Sequence, residues 1–288
     1  MSYTLVSDAT LDLPMELIET DHIEVIPMAF NLDNKEIVHY PDERNMTLED
    51  FYTALKNGKT SSTSQINPAV YVEFFTPYLE KGEDIIYIGL TSGLSGTYQS
   101  ALIAKDMLLE DFPERKIYII DTSCASAGLG YFLHLTAKKK EEGLSIDELK
   151  DWVLENHKRV AHWFIVGDLF HLQRGGRLSF AEAMLGSALK IKPIISVNDE
   201  GKMFVENKVR GIKKSMEYMI GKIIEDMDDE ERSLFIAHGD NEEAVLELKE
   251  KILERTDVRD ITITKIGPVI GSHTGPGMLA VLFMQKEA

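Results

Sequence analysis

Gly267-Pro268-Val269-Ile270-Gly271-Ser272-His273-Thr274-Gly275-Pro276-Gly277 sets one imidazole between two hydroxyls in a stretch with four glycines and two prolines. Glycine opens backbone paths closed to other residues and lets a ligand come close to the main chain. A purely structural turn has no need of the histidine, so this last connection between strands reads as a ligand-contacting loop. Two earlier segments share its character. Lys59-Thr60-Ser61-Ser62-Thr63-Ser64-Gln65 is a run of hydroxyls ahead of Pro68, a residue suited to a first helical turn. Thr91-Ser92-Gly93-Leu94-Ser95-Gly96-Thr97 lies between the apolar run Ile85–Ile88 and a helical pattern opening at Tyr98. Such a loop aims hydroxyls and unpaired backbone N–H groups at whatever binds there, and the positive end of the helix dipole attracts anions. Taken singly, Ser95 or Thr63 is equally well read as a local helix cap. Together the three turns make one anion site if the fold gathers them.

Other chemistries fit less well. Ser95 and His273 invite acyl hydrolysis, but Gly93-Leu94-Ser95-Gly96-Thr97 displaces the second glycine of a Gly-x-Ser-x-Gly elbow. Asp8, Asp121 and Asp240 all follow expected strands, and nothing in the sequence selects one to orient the histidine. No His-Glu-x-x-His or paired His/Cys spacing points to a metal. Gly128-Leu129-Gly130 is not continued into a dinucleotide fingerprint, and no phosphate-loop motif is present. Gln173-Arg174-Gly175-Gly176-Arg177-Leu178-Ser179 has two readings of equal weight. Its arginines suit a carboxylate or phosphate, and its glycines and arginines suit an ordinary helix C-terminus. Lys208, Arg210, Lys213 and Lys214 form a basic cluster, either a solvated face or a docking point.

The elements that must position these residues alternate. Tyr3–Val6, Ile23–Met28, Ile85–Ile88 and Lys116–Ile120 read as strands, with helices over Leu48–Leu55, Ala69–Leu79, Tyr98–Leu109 and Ala127–Lys139. Ser145 and Glu148 form a capping box for a helix over Ile146–His157 that suits a bridge between domains. Beyond it come strand Trp163–Val166, a hairpin of Lys192–Val197 with Met203–Val209, helix Ile212–Glu225, strand Leu234–Ala237 and helix Glu243–Arg255. Strands Asp260–Ile266 and Met278–Met284 close the chain. This is the pattern of an α/β protein with two α/β domains, residues 1–160 and 161–288.

With 288 residues, 44% of them hydrophobic, the chain can bury one large core or two ordinary ones. A formal net charge of -17 argues against a general nucleic-acid binder and against adsorption to anionic membranes. The single cysteine, Cys124, excludes an intrachain disulfide framework and reads as a small buried residue. No signal-like or membrane-spanning stretch is evident, so a cytoplasmic protein without integral membrane association is expected.

Ser7-Asp8 with Asp12-Leu13-Pro14, Thr63-Ser64-Gln65, Ser92-Gly93-Leu94-Ser95-Gly96-Thr97-Tyr98, Gly175-Gly176-Arg177 and the Gly267–Gly277 stretch occur in that order along nearly the whole chain. The ordered set resembles the DegV family, with Ala9 where the family often has another serine. The resemblance implies a carrier rather than a conventional enzyme, with no cofactor, no metal and a long-chain fatty acid as ligand. It implies an acyl tail in a buried tunnel near the domain interface, and a carboxylate bound by Thr63, Ser64, Ser95, Gly96, His273 and Thr274. It further implies a fatty acid kinase as partner, making acyl phosphate, with Arg177 and Arg210 as contacts to that kinase or to the new phosphate. Met184, Leu185, Leu189 and Ile191 are candidate tunnel walls, with core packing as their competing role. Two other classes stay open on the residues alone: a Ser/His acyl hydrolase or phosphotransferase, and a protein-interaction module without lipid.

Overall fold

The computed structural model describes residues 2–179 and 191–287, so Met184, Leu185 and Leu189 lie outside the described residues. Strands β1 (Tyr3–Asp8), β2 (Ile23–Ile26), β6 (Asp84–Gly89) and β7 (Ile117–Asp121) form a parallel sheet in the order β2-β1-β6-β7. Helices cover a parallel sheet on both faces, which is why β6 is buried at every position. Strands β3 (Met28–Leu32), β4 (Lys35–His39) and β5 (Ser61–Thr63) make a small antiparallel sheet beside it. The second half builds a mixed sheet in the order β10-β9-β8-β13-β11-β12. Its strands are β8 (Val160–Ile165), β9 (Ile191–Val197), β10 (Met203–Arg210), β11 (Ser233–His238), β12 (Asp260–Lys265) and β13 (Leu279–Met284). The architecture is α/β, as the alternation of elements predicts.

Helix Ala127–Glu141 joins the two large sheets. It is buried along most of its length and packs on β8, β11 and β13. One apolar core therefore runs from Leu5 and Ile86 of the parallel sheet, through Leu129 and Phe132, to Phe164 and Ala280 of the mixed sheet. A second core, with Trp163, Ile165, Val281 and Phe283, fills the other face of the mixed sheet under helices Ile212–Asp226 and Glu242–Arg255. The Ser145–Glu148 capping box is formed, and Asn67 caps the helix that Pro68 opens.

Three local readings need correction. The strand expected over Ile23–Met28 breaks at Pro27, whose missing N–H cannot continue a ladder, and its two parts enter different sheets. The β3–β4 hairpin escapes the sequence because its turn, Asp33-Asn34 with φ of 53° and 65°, has the left-handed pair of a type I′ turn without the usual glycine. Finally, the glycine-rich connection is not an open loop: Pro268–Thr274 is a two-turn helix. Proline at its first position and left-handed Gly275 (φ 67°) beyond its end mark its limits.

Candidate functional site

Four segments deliver the polar side chains. Thr63 ends β5, and Ser95 lies in the loop between β6 and helix Thr97–Asp111. His273 and Thr274 end the short helix Pro268–Thr274, and Arg177 follows the Gly175-Gly176 turn after helix Phe170–Arg174. All five line a single cavity. The remaining wall is mostly apolar. Phe164, Ala237, Ala280 and Leu282 come from one face of the mixed sheet, and Val269 and Ile270 from the His273 helix. Met28, Leu90, Leu94, Met203 and Met278 complete the apolar lining.

The hydroxyls are tied to one another and to the main chain. Thr63 Oγ1 lies 2.8 Å from His273 Nε2, and Ser61 Oγ lies 2.6 Å from Ser272 Oγ, so β5 is fastened to the His273 helix. Ser95 Oγ lies 2.9 Å from Thr97 Oγ1 and accepts from the Thr97 amide. Thr274 Oγ1 donates to the Ile270 carbonyl at 3.2 Å. The Arg177 guanidinium donates to the carbonyls of Leu94 and Gly175, and among the described residues no carboxylate pairs with it. Burial lowers its pKa. Burial, with the Arg177 charge beside it, also pushes the His273 pKa down to about 4, so the imidazole is neutral at neutral pH. Its Nδ1 is buried and, among the described residues, has no hydrogen-bond partner. That nitrogen faces the Gly175 backbone so closely that a Cβ there would stand 2.3 Å from it.

An apolar cavity with an unpaired cation, a neutral imidazole and several hydroxyls in its wall suits an amphiphilic anion. Such a group gains charge-assisted hydrogen bonds from Arg177 while its apolar part leaves water. Among the described residues no cluster of histidine, cysteine or carboxylate groups is arranged to hold a metal ion.

Not every residue singled out in the sequence reaches the cavity. Ser64 is exposed and turned away from the lining, as strand alternation after Thr63 requires. Gly96 caps helix Thr97–Asp111 on the outside, with the Gln65 side chain pressed against it. Arg210 is exposed at the end of β10, with Lys208, Lys213 and Lys214 exposed nearby in sequence. Ile191 opens β9 and is not part of the lining. Two lining residues went unnoticed in the sequence, Ser126 and His162. His162 is buried and neutral, its pKa lowered to about 4 by burial. Its Nδ1 is 3.0 Å from the Val160 carbonyl and its Nε2 accepts from the Ala125 amide, so both ring nitrogens are used. A Cβ at Gly128 would lie 2.0 Å from that Nε2, so only glycine fits there. Ser126 holds φ 56° and ψ −141°, a strained conformation that no local sequence signal announced.

No described helix is long and apolar enough to cross a membrane. Residues 2–286 match the family model described as "Uncharacterised protein, DegV family". A DegV domain-containing protein of Clostridium perfringens is 41% identical over 283 residues, 98% of this chain and 97% of that one. A DegV family protein from Thermus thermophilus, whose structure is described by its fatty acid binding, superposes with a TM-score of 0.87 at 27% identity, covering 99% of this chain and 100% of the other. At 20% identity, a likeness of fold alone, the Streptococcus pneumoniae fatty acid kinase (Fak) B3 protein loaded with linoleic acid superposes with a TM-score of 0.85, over 99% of this chain and 100% of that one. By a match along nearly its whole length, the chain belongs to the DegV family.

Proposed function

We propose that the protein binds one long-chain fatty acid, with its acyl chain in the apolar cavity and its carboxylate at Arg177, His273, Thr63, Ser95 and Thr274. The observation that carries this reading is the half-buried Arg177, without a carboxylate partner among the described residues, in the wall of a mostly apolar cavity. Its support is the fatty acid binding described for the Thermus thermophilus relative. Energetically the tail dominates: at about 0.8 kcal/mol per buried methylene, a chain of about fifteen carbons supplies on the order of 12 kcal/mol before the costs of association. Each hydrogen bond to the charged head group adds roughly 1.5–3 kcal/mol and decides which end of the ligand lies where.

In this reading the protein is a carrier in the cytoplasm. Residues 1–160 and 161–288 act as its two α/β units, and a separate fatty acid kinase phosphorylates the presented carboxylate to an acyl phosphate. Exposed Arg210, with Lys208, Lys213 and Lys214, is a docking point for an acidic kinase surface, and Arg177 steadies the new phosphate. The likeness to the Fak B3 protein motivates the kinase, and the basic cluster on a chain of net charge -17 fits an acidic partner.

The Ser/His hydrolase reading has less support. A nucleophile needs its base within hydrogen-bond reach, and the base needs an orienting group. Ser95 instead meets Thr97, His273 meets Thr63, and among the described residues no carboxylate bonds to His273.

Native mass spectrometry of freshly purified protein, followed by solvent extraction, tests the proposal. A mass excess of one fatty acid, recovered as free acid, supports it. A clean apo mass that persists after addition of a panel of fatty acids would overturn it.

A further inference from the structure

Asp12 lies in the loop after β1, buried, and takes no direct part in the wall of this cavity. Two segments far from it in sequence nevertheless converge on it. Its Oδ2 accepts from Ser126 Oγ at 2.5 Å, its Oδ1 accepts from the Gly267 amide at 2.7 Å, and its carbonyl accepts from Thr264 Oγ1 at 2.7 Å. Ser126 is a wall residue of the cavity and the cap of helix Ala127–Glu141, while Gly267 is the cap of the helix that carries His273. One carboxylate thus spans the starts of the two helices that flank the cavity. Both members of the Asp12–Ser126 bond have positive φ, 44° and 56°, a strain that persists only where surrounding contacts enforce it.

We propose that Asp12 is a positioning residue for the ligand head group: its carboxylate fixes Ser126 in the cavity wall and, through the Gly267 amide, the helix that presents His273. The inference rests on the fatty-acid reading above. Asp12 touches no ligand atom in this account and acts only through those two helix starts.

The charge on Asp12 is part of the device. An ionised carboxylate accepts both bonds in charge-assisted form and is favoured at two helix N-termini. Burial opposes ionisation and raises its pKa to about 7, with the Ser126 and Gly267 bonds pulling the other way and Asp8 adding to the rise. The other groups facing this region are His39, whose Nε2 would lie 2.9 Å from a Cβ at Gly267, Tyr52, and Glu43 and Lys265 across a small adjoining cavity. His39 and His273 both titrate near pH 4, so neither changes charge between pH 6 and 8. In that window ionisation of Asp12 tightens both helix starts.

The test is nuclear magnetic resonance of ligand-free protein between pH 5.5 and 8.5, following the Gly267 amide and the His273 ring nitrogens, with palmitate affinity measured in parallel. In the wild type both signals are expected to move together with a midpoint near Asp12's value of about 7. Palmitate binding should tighten about fivefold from pH 6 to pH 8, out of the tenfold limit that one unit of midpoint shift sets. Asp12→Asn, which keeps the shape, the bond from the Gly267 amide and, with donor and acceptor exchanged, the Ser126 bond, but not the charge, should flatten both profiles. Ser126→Ala removes a bond that favours the ionised form and should move the midpoint upward, and it serves if the Asp12 variant does not fold. A wild-type pH profile retained in Asp12→Asn, or an unmoved midpoint in Ser126→Ala, would overturn the inference. Failure of the wild type to take up palmitate at any pH would instead sink the fatty-acid reading, while the ligand-free signals still judge Asp12.

Discussion

Replacing Gly175 by alanine isolates the His273 ring from everything else at the site. Gly175 has φ −73° and ψ −10°, an ordinary right-handed conformation that alanine adopts freely. Through the unfolded chain that exchange stabilises by about 0.4–1 kcal/mol. The new Cβ, however, would stand 2.3 Å from His273 Nδ1 and 3.1 Å from Cε1. Non-bonded carbon and nitrogen need about 3.5 Å, so the ring must retreat by about 1 Å. Because the two ring nitrogens point nearly opposite ways, that retreat presses Nε2 toward Thr63, and the ring relieves both contacts only by rotating out of its 2.8 Å bond to Thr63. A lost bond of this kind costs about 1 kcal/mol, roughly cancelling the stabilisation, so the melting temperature should hardly change. The bound carboxylate should lose one charge-assisted contact, about 1.5–3 kcal/mol, or roughly ten- to a hundredfold in Kd. The matched control is Gly176→Ala. Gly176 has φ 73° and nothing within 4 Å of its Cβ position, so the strain of about 1 kcal/mol falls on the backbone and not on the ring. Calorimetric titration of delipidated protein with palmitate should therefore show weak binding and normal stability for Gly175→Ala, and the reverse for Gly176→Ala. Unchanged affinity in Gly175→Ala, or equal losses in both variants, would refute a head-group role for His273.

Three further outcomes are expected. Arg177→Met keeps an apolar stem and removes the cation, so affinity for palmitate should fall roughly ten- to a hundredfold while that for a fatty alcohol of equal length barely changes; comparable losses for both ligands would count against a carboxylate contact. Ala280→Phe adds bulk to a buried wall position, and should cost about 1–3 kcal/mol in urea unfolding and exclude long chains more than short ones in competition binding. Acid should destabilise the fold through His39, His162 and His273, whose pKa values burial lowers to about 4. Because the folded values lie below the unfolded one, the unfolded chain takes up these protons first. The stability they confer is complete above about pH 6.5 and is lost as pH falls toward 4, by at most about 3 kcal/mol each. Asp12, raised to about 7, has the opposite sign and gains stability as pH falls through the same window, so Asp12→Asn should steepen the acid loss seen in urea midpoints between pH 4.5 and 7.

The regular elements were legible where periodicity and caps coincide. The Ser145–Glu148 box and the hairpin around Asn198–Gly201 stand where the sequence predicts them. Of the candidate site, the hydroxyls and histidine that line the cavity were legible, because polar residues crowded among glycines have few structural uses. What stayed hidden depends on contacts distant in sequence. Ser64 and Thr63 are equivalent as letters, and only the pairing of Thr63 with Phe30 in the β3–β5 ladder decides which of them turns inward. The apolar wall was invisible for a related reason: Ala237, Ala280 and Leu282 are indistinguishable from core residues until the cavity beside them is seen. Ser126 and Asp12 lie 114 positions apart, and their bond belongs to no local pattern.

Along the central strands of the mixed sheet, consecutive residues serve different masters. Phe164, Ala280 and Leu282 face the cavity, whereas Trp163, Ile165, Val281 and Phe283, their immediate neighbours, pack into the core beneath the outer helices. The two-residue period of a strand thus separates the side chains that line the cavity from those that hold the outer layer. Substitutions at alternate positions of β8 and β13 can therefore reshape the cavity and leave the core on the other face of the sheet untouched.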